Sequence, residues 1–401
     1  MKAQQEISIG LLWHSASAGN LGVGALTVGN LIAARRAAEA CGLTPRFTIF
    51  EMVGDLAAVY VDETDVETFQ INGRSMISPN GYFAALAKID CILDIGAGDS
   101  FADIYGIKRF IYLWATKELA YVRNIPLIFS PQTIGPFTKQ PFRALAAHAM
   151  RRAYAVIARD PASYEAIGDL SPGARAVQSV DVAFLLPFDK PGKRAAGDLE
   201  VGINVSGLLF NGGYSEANEF GLQVDYSKLM RDLIAELTAR NGIKVHLISH
   251  VNSDRLTVDD DRRVAMQLNQ EFPSTIRVPD FTSPIEAKSY IADLDFLVAG
   301  RMHACIAAYS AGVPVVPIAY SRKFSGLFQG VLNYPYGVPV TGLTTSDALA
   351  YILKCLDERA ELASAVQNGL AIVGSALKTY DSELVRMFSR FRLPHEHAFR
   401  E

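Results

Sequence analysis

The sequence predicts an α/β protein of two Rossmann-like units whose parallel sheets face a central cleft. Three observations predict it. Short apolar runs alternate with helical patterns along most of the 401 residues. These runs lack a polar–apolar alternation, as expected of strands covered by helices on both faces. The pattern also stops at a polar segment containing Pro191, Gly192 and Gly197, residues 188–198, and then restarts. The length suits two to three domains at roughly 150 residues each. The expected boundaries are 1–187 and 198–380, with a helical tail over 381–401 that frays around Pro394.

The elements follow in order. Residues 7–13 read as the first strand, followed by a Gly-rich loop and a helix over 30–40. Further strands are expected over 46–53, 90–95, 126–130 and 154–158. After the polar segment come strands over 201–205, 244–249, 275–278, 296–299 and 313–318. In sheets of this kind the loops at the carboxyl ends of strands build the site. Two facing units place substrates in the cleft between them.

Composition narrows the class. Hydrophobic residues make up 50 % and charged residues 20 %, which excludes a disordered chain, a collagen-like repeat and a coiled coil. A net charge of −4 and a pI of about 6.0 argue against nucleic acid as a partner. Cys41, Cys91, Cys305 and Cys355 lie far apart, which suits buried thiols in a reducing compartment. Residues 7–34 and 302–321 lack charge, but glycines and prolines break both into shorter pieces, so neither reads as a membrane span. The apolar run before Ala16-Ser17-Ala18 is too short for a secretion signal, and Glu6 precedes it. The reading is a cytoplasmic protein, at or near the inner face of the membrane, with room for peripheral membrane association. The oligomeric state is left open.

Several loops carry candidate chemistry. In the first, Gly19, Gly22 and Gly24 follow a strand and can bring backbone N–H groups to an anion or a sugar, with Asn20 among them. In the second, Gly96 and Gly98 precede Asp99 and Ser100, which can accept from and donate to sugar hydroxyls. Gln132 heads a third segment and can do the same. Each of these also suits a cap or a tight turn. The most informative stretch is Ala299-Gly300-Arg301-Met302-His303. Arg301 can fork onto a carboxylate or phosphate, and His303 can donate a proton near neutral pH. Arg322 and Lys323 follow the next strand and would converge on the same anionic ligand. His246 and His250 are four apart, but in a strand, which disfavours a metal pair; His395 and His397 lie in the tail. No HExxH, Gly-x-Ser-x-Gly or P-loop pattern occurs. No metal or cofactor is expected.

In this order the pieces resemble the polysaccharide pyruvyl transferase family. The resemblance runs from about Ile9 to about Phe328. It takes in Asn20-x-Gly22, residues 90–100, Gln132-Thr133-Ile134-Gly135-Pro136, Arg159-Asp160 with Ser163, Asp181-Val182-Ala183-Phe184, and Asp293 leading to Arg301-Met302-His303 and Lys323. It implies a GT-B-like arrangement and transfer of the pyruvyl group of phosphoenolpyruvate, as co-substrate, onto two hydroxyls of a sugar or lipid-linked oligosaccharide. It implies that Arg301 and His303 serve the phosphoenolpyruvate side of the cleft, and we read both as catalytic. The residues themselves place Arg322 and Lys323 with Arg301 on the donor, and Asn20, Gly22, Asp99, Ser100 and Gln132 at the acceptor. Two positions depart from the family pattern: Val23 stands where it has Asp, and Ser206 where it often has Arg. The alternatives are a GT-B-type glycosyltransferase using a nucleotide sugar and a non-catalytic binding member of the fold.

Overall fold

The computed structural model describes residues 5–392 apart from 53, 55–57, 99, 191, 193–196, 216 and 219. The first unit contains β1 (Gln5–Leu12), β2 (Leu43–Met52), β3 (Val66–Ile71), β4 (Cys91–Asp94), β5 (Ser100–Phe101), β6 (Leu127–Ile134), β7 (Ala155–Ala158) and β8 (Ala176–Gln178). Its order is β3-β2-β1-β4-β6-β7-β8, with β5 beside β6. The second unit contains β9 (Leu199–Asn204), β10 (Ile243–Ile248), β11 (Ile276–Arg277), β12 (Phe296–Ala299), β13 (Val315–Ala319) and β14 (Val338–Pro339), in the order β11-β10-β9-β12-β13-β14. Every strand pair in both sheets is parallel.

In each sheet the strand order reverses once, between β1 and β4 and between β9 and β12. Loops leaving strands at such a switch diverge and open a crevice. The glycine-bearing loops after β1 and β4 and the Gly300-Arg301 turn after β12 lie at these points. The inner strands β4, β6, β7 and β12 are buried along their whole length, hence their uninterrupted apolar runs. β3 sits at the sheet edge with most side chains exposed or half-buried, and its sequence, VETFQI, gives no buried-strand signal.

Two expectations about elements are corrected. The helix expected over 30–40 already begins at Leu21 and runs to Ala40. Gly22, Gly24 and Gly29 are helical, and they thin the helix where neighbours press on it. A Cβ at Gly29 would lie 2.3 Å from the Val182 carbonyl oxygen, and one at Gly24 would lie 2.9 Å from the Tyr60 ring. The tail expected from residue 381 is not separate. A single helix, Arg359–Phe388, passes that position unbroken, and residues beyond 392 lie outside the described chain.

The first part of that helix packs near Tyr309 of the second unit. Its last part crosses to the first unit. There Tyr380 donates to Asn30 Oδ1 at 2.7 Å and shares a 2.9 Å hydrogen bond with Ser130. Arg36 pairs with Asp381, and Arg175 with Glu383.

Candidate active site

The second unit's wall is organised by Asp261, which is fully buried at the start of the helix Asp261–Glu271. Its carboxylate accepts from the backbone N–H groups of Gly207, His250 and Val251 and from Asn204 Nδ2. It also receives Nε and Nη2 of Arg301, at 3.1 and 2.7 Å. Asp259 takes Nη2 as well, at 2.6 Å. The Arg301 backbone N–H is fixed in turn by Asn204 Oδ1. Burial alone would lower the pKa of Arg301, but the Asp261 and Asp259 carboxylates outweigh it and raise it. Arg301 is therefore a permanently charged group, 9 % exposed, whose Nε and Nη2 are engaged while Nη1 has no hydrogen-bond partner among the described residues.

The first unit's wall holds a second carboxylate. Asp181 is fully buried at the start of the short helix Val182–Leu185. Arg159, at the end of β7, donates Nη1 to Asp181 Oδ2 at 2.6 Å and Nε to the Thr133 hydroxyl. Burial would raise the Asp181 carboxyl, but the Arg159 guanidinium and His303 hold it down at about 2. His303 reaches across from the second unit, its Nε2 3.7 Å from Asp181 Oδ2. That is an ion-pair distance rather than a hydrogen bond, and Nε2 is buried without a hydrogen-bond partner among the described residues. On the other side of the ring, a Cβ at Gly22 would lie 2.3 Å from Nδ1. Gly22 is thus required for the helix to approach His303.

These groups share one cleft, with an empty volume of about 560 Å³. Asn20, Val23, Arg159, His250, Arg301, His303, Tyr320 and Lys323 are among its lining residues. A short antiparallel bridge between Asn20 and Val251 spans the units, flanked by Leu21 N–H to His250 carbonyl and Asn252 N–H to Gly19 carbonyl hydrogen bonds. Beyond it lies a second opening of about 620 Å³ lined by Gly19, Leu21, Asn252 and Arg262.

The expected site residues separate into groups. Asn20, Arg301, His303 and Lys323 line the cleft, and Gly22 abuts His303. Asn20 also caps its helix by accepting from the Gly22 N–H, so the cap and cleft readings hold together. Arg322 does not join Lys323; it bonds the Ile134 and Gly135 carbonyls across the cleft. Ser100 and Gln132 are buried away from the cleft wall, and the Gln132 amide is held by Asp94. Their Oγ and Oε1 atoms have no hydrogen-bond partner among the described residues. Asp99 lies outside the described residues. Between them, Gly96, Ala97 and Gly98 all have positive φ, a run in which added side chains would meet Gln132 at 96 and Val23 at 98. At the two departures, Val23 packs against Gly98, and Ser206 caps a short helix by accepting from the Leu209 N–H. The residues that sequence reasoning passed over are His250, set aside as half of an unlikely metal pair, and Asp261. Asp181 and Arg159 stood in motif segments without a role.

A family model described as polysaccharide pyruvyl transferase matches residues 31–322. The chain belongs to the polysaccharide pyruvyl transferase family. Membership supports a transferase role with a sugar or polysaccharide acceptor. A curated relative, the amylovoran biosynthesis protein AmsJ of Erwinia amylovora, is 22 % identical over 299 residues, covering 71 % of this chain and 70 % of that protein. Among solved structures, a UDP-GlcNAc 2-epimerase from Neisseria meningitidis, bound to UDP-GlcNAc, matches with TM-score 0.57 and 12 % identity, over 95 % of this chain and 100 % of that one. HepE of Anabaena, solved with UDP-glucose, matches with TM-score 0.57 and 13 % identity over 96 % and 100 %. These likenesses establish the GT-B-like fold of the family member described here. Among the described residues no helix is long and apolar enough to cross a membrane.

Proposed function

We propose that the protein is a phosphoenolpyruvate-dependent pyruvyl transferase that forms a ketal on a sugar of a cell-surface or exopolysaccharide precursor. Lipid-linked oligosaccharides at the inner face of the membrane would be among its acceptors. One observation carries the reading: His303, backed by Asp181, shares a small cleft with Arg159, Arg301 and Lys323. Phosphoenolpyruvate presents a carboxylate and a phosphate to that set of cations. Such fixed charges stabilise the departing phosphate without reorganising.

The reaction needs a proton at C3 of the enol, which develops positive charge at C2 for a sugar hydroxyl to attack. His303 is the acid. Its Nε2 lies 3.7 Å from the Asp181 carboxylate, and the ring lines the cleft where the enol would sit. Attack by a neighbouring hydroxyl, with loss of phosphate, closes the ketal.

The test is phosphate release from phosphoenolpyruvate with a panel of sugar acceptors, in deuterated water. The parent should place solvent deuterium in the ketal methyl group. His303→Gln should bind phosphoenolpyruvate normally and lose roughly 10²-fold or more in kcat. A ligand at 100 times its Kd stabilises by about 2.7 kcal/mol. Thermal stabilisation by nucleotide sugars, with none from phosphoenolpyruvate, would overturn the proposal.

A further inference from the structure

His250 follows β10 and is 3 % exposed, yet it lines the same cleft as His303. Its backbone is fixed on both sides. The N–H donates to Asp261 Oδ2 at 3.1 Å, and the carbonyl accepts from the Leu21 N–H of the other unit at 3.2 Å. Among the described residues no side chain hydrogen-bonds either ring nitrogen, and the ring's own backbone is its one polar neighbour of that kind. Buried polar groups are nearly always satisfied. For this ring, the remaining source of a partner is whatever fills the cleft.

The charges around it set its protonation. Arg301 and His303 face it from the adjacent helix start, Asp261 sits at its backbone, and Arg159 and Lys323 complete the cleft wall. Burial, with the positive fields of His303 and Arg301 added, pushes the imidazole down to about 3. It stands neutral with a lone pair available. His303, by contrast, has a carboxylate behind it. Two like groups in opposite surroundings are how a site divides acid from base.

We infer that His250 is the catalytic base that takes the proton from the acceptor hydroxyl as that oxygen bonds to C2; this rests on the pyruvyl transfer reading above. In the first step the hydroxyl O–H breaks and its proton goes to His250. The O–C2 bond forms, and the C2=C3 π pair takes a proton from His303 to make the methyl group. In the second step the neighbouring hydroxyl gives its proton to the now neutral His303 as its oxygen bonds to C2. The C2–O bond to phosphate breaks with its electron pair on the phosphate oxygen, which takes the proton held by His250. Both rings end as they began. The bound anions of the enol phosphate offset the cations around His250 and make the neutral ring a stronger base during turnover.

The experiment uses the full chain, phosphoenolpyruvate, and the p-nitrophenyl glycoside that gives the fastest phosphate release among galactoside, glucoside and N-acetylmannosaminide. His250→Gln should lower kcat by roughly 10²-fold or more while leaving the phosphoenolpyruvate Kd near the parental value. The profile of kcat against pH reports groups in the substrate complex. The parent should gain rate as pH rises through the acid side, and His250→Gln should lose that limb. Free imidazole should restore turnover to His250→Gly. If the Gln form melts early, His250→Asn serves in its place. Parental kcat with the acid limb intact, or a raised KM alone, would overturn the inference and leave pyruvyl transfer standing. No phosphate release by the parent with any of the three glycosides would overturn both.

Discussion

Gly22 and Asp181 hold opposite sides of one imidazole, and each makes a distinct prediction. Gly22→Ala puts a Cβ 2.3 Å from His303 Nδ1, so the ring must move. We expect kcat to collapse with thermal stability nearly unchanged; parental kcat would mean that the ring has room to shift. Asp181→Asn removes a charge shared by Arg159 and His303. Breaking one partner of a buried pair costs about 3–5 kcal/mol, so this variant should lose both stability and turnover, read by urea unfolding and phosphate release. Arg301→Lys keeps the charge but cannot serve Asp259, Asp261 and a ligand together. A marked rise in KM for phosphoenolpyruvate is expected. At this scale the sequence shows the type of each residue but not its partner. Arg301, His303 and Lys323 were legible because they follow strands. The Arg301–Asp261 and His303–Asp181 pairings were not, because separate elements bring them together. Gln132 misled for the opposite reason: it follows an apolar run, but the strand continues through Ile134 and buries it.

At the scale of elements, the Leu21–Ala40 helix and the Arg359–Phe388 helix are joined through a buried polar chain. His14 Nε2 meets Asn30 Nδ2, Asn30 Oδ1 accepts from Tyr380, and Tyr380 meets Ser130. Tyr380→Phe leaves buried groups without partners, and we expect a loss of about 1–3 kcal/mol by urea unfolding. The chain also has a pH sign. Burial pushes His14 from 6.5 down to about 3, so folding favours its neutral form. The unfolded chain therefore binds more protons below pH 6.5. Stability is full above that pH and is lost as pH falls from 6.5 toward 3. His250 adds to the same slope, so His14→Gln should reduce it between pH 7 and pH 4 without abolishing it, and an unchanged slope would remove His14 as a cause. The strands were legible where both faces are covered, as in β4 and β12. The first turns of the Leu21–Ala40 helix were not, because glycines that permit close packing look like loop residues in sequence.

At the scale of the whole molecule, the Asn20–Val251 bridge and Arg322 hold the units together over the cleft. Hydrogen bonds flank that residue pair, which places its Cα atoms close, about 4.5 Å in such ladders, within the span of a disulfide. An Asn20→Cys, Val251→Cys variant should therefore cross-link on oxidation. The native cysteines are buried and offer no competing partner at the surface. Turnover should stop when the variant is oxidised and return to its reduced level with dithiothreitol. Equal turnover in both states would show that acceptors enter without the units parting.

The helix that crosses back at the C-terminal end also bears on how the protein is made. When residue 187 has left the ribosome, every strand of the first sheet exists. The surface around Asn30, Ser130 and Cys41 still lacks its covering helix, which ends at Phe388. At about 5–20 residues per second, the nascent chain carries that bare face for roughly 10–40 s. Its first-made unit is the last to be completed, which makes it a client for chaperones during synthesis and the place where a shortened chain would first aggregate.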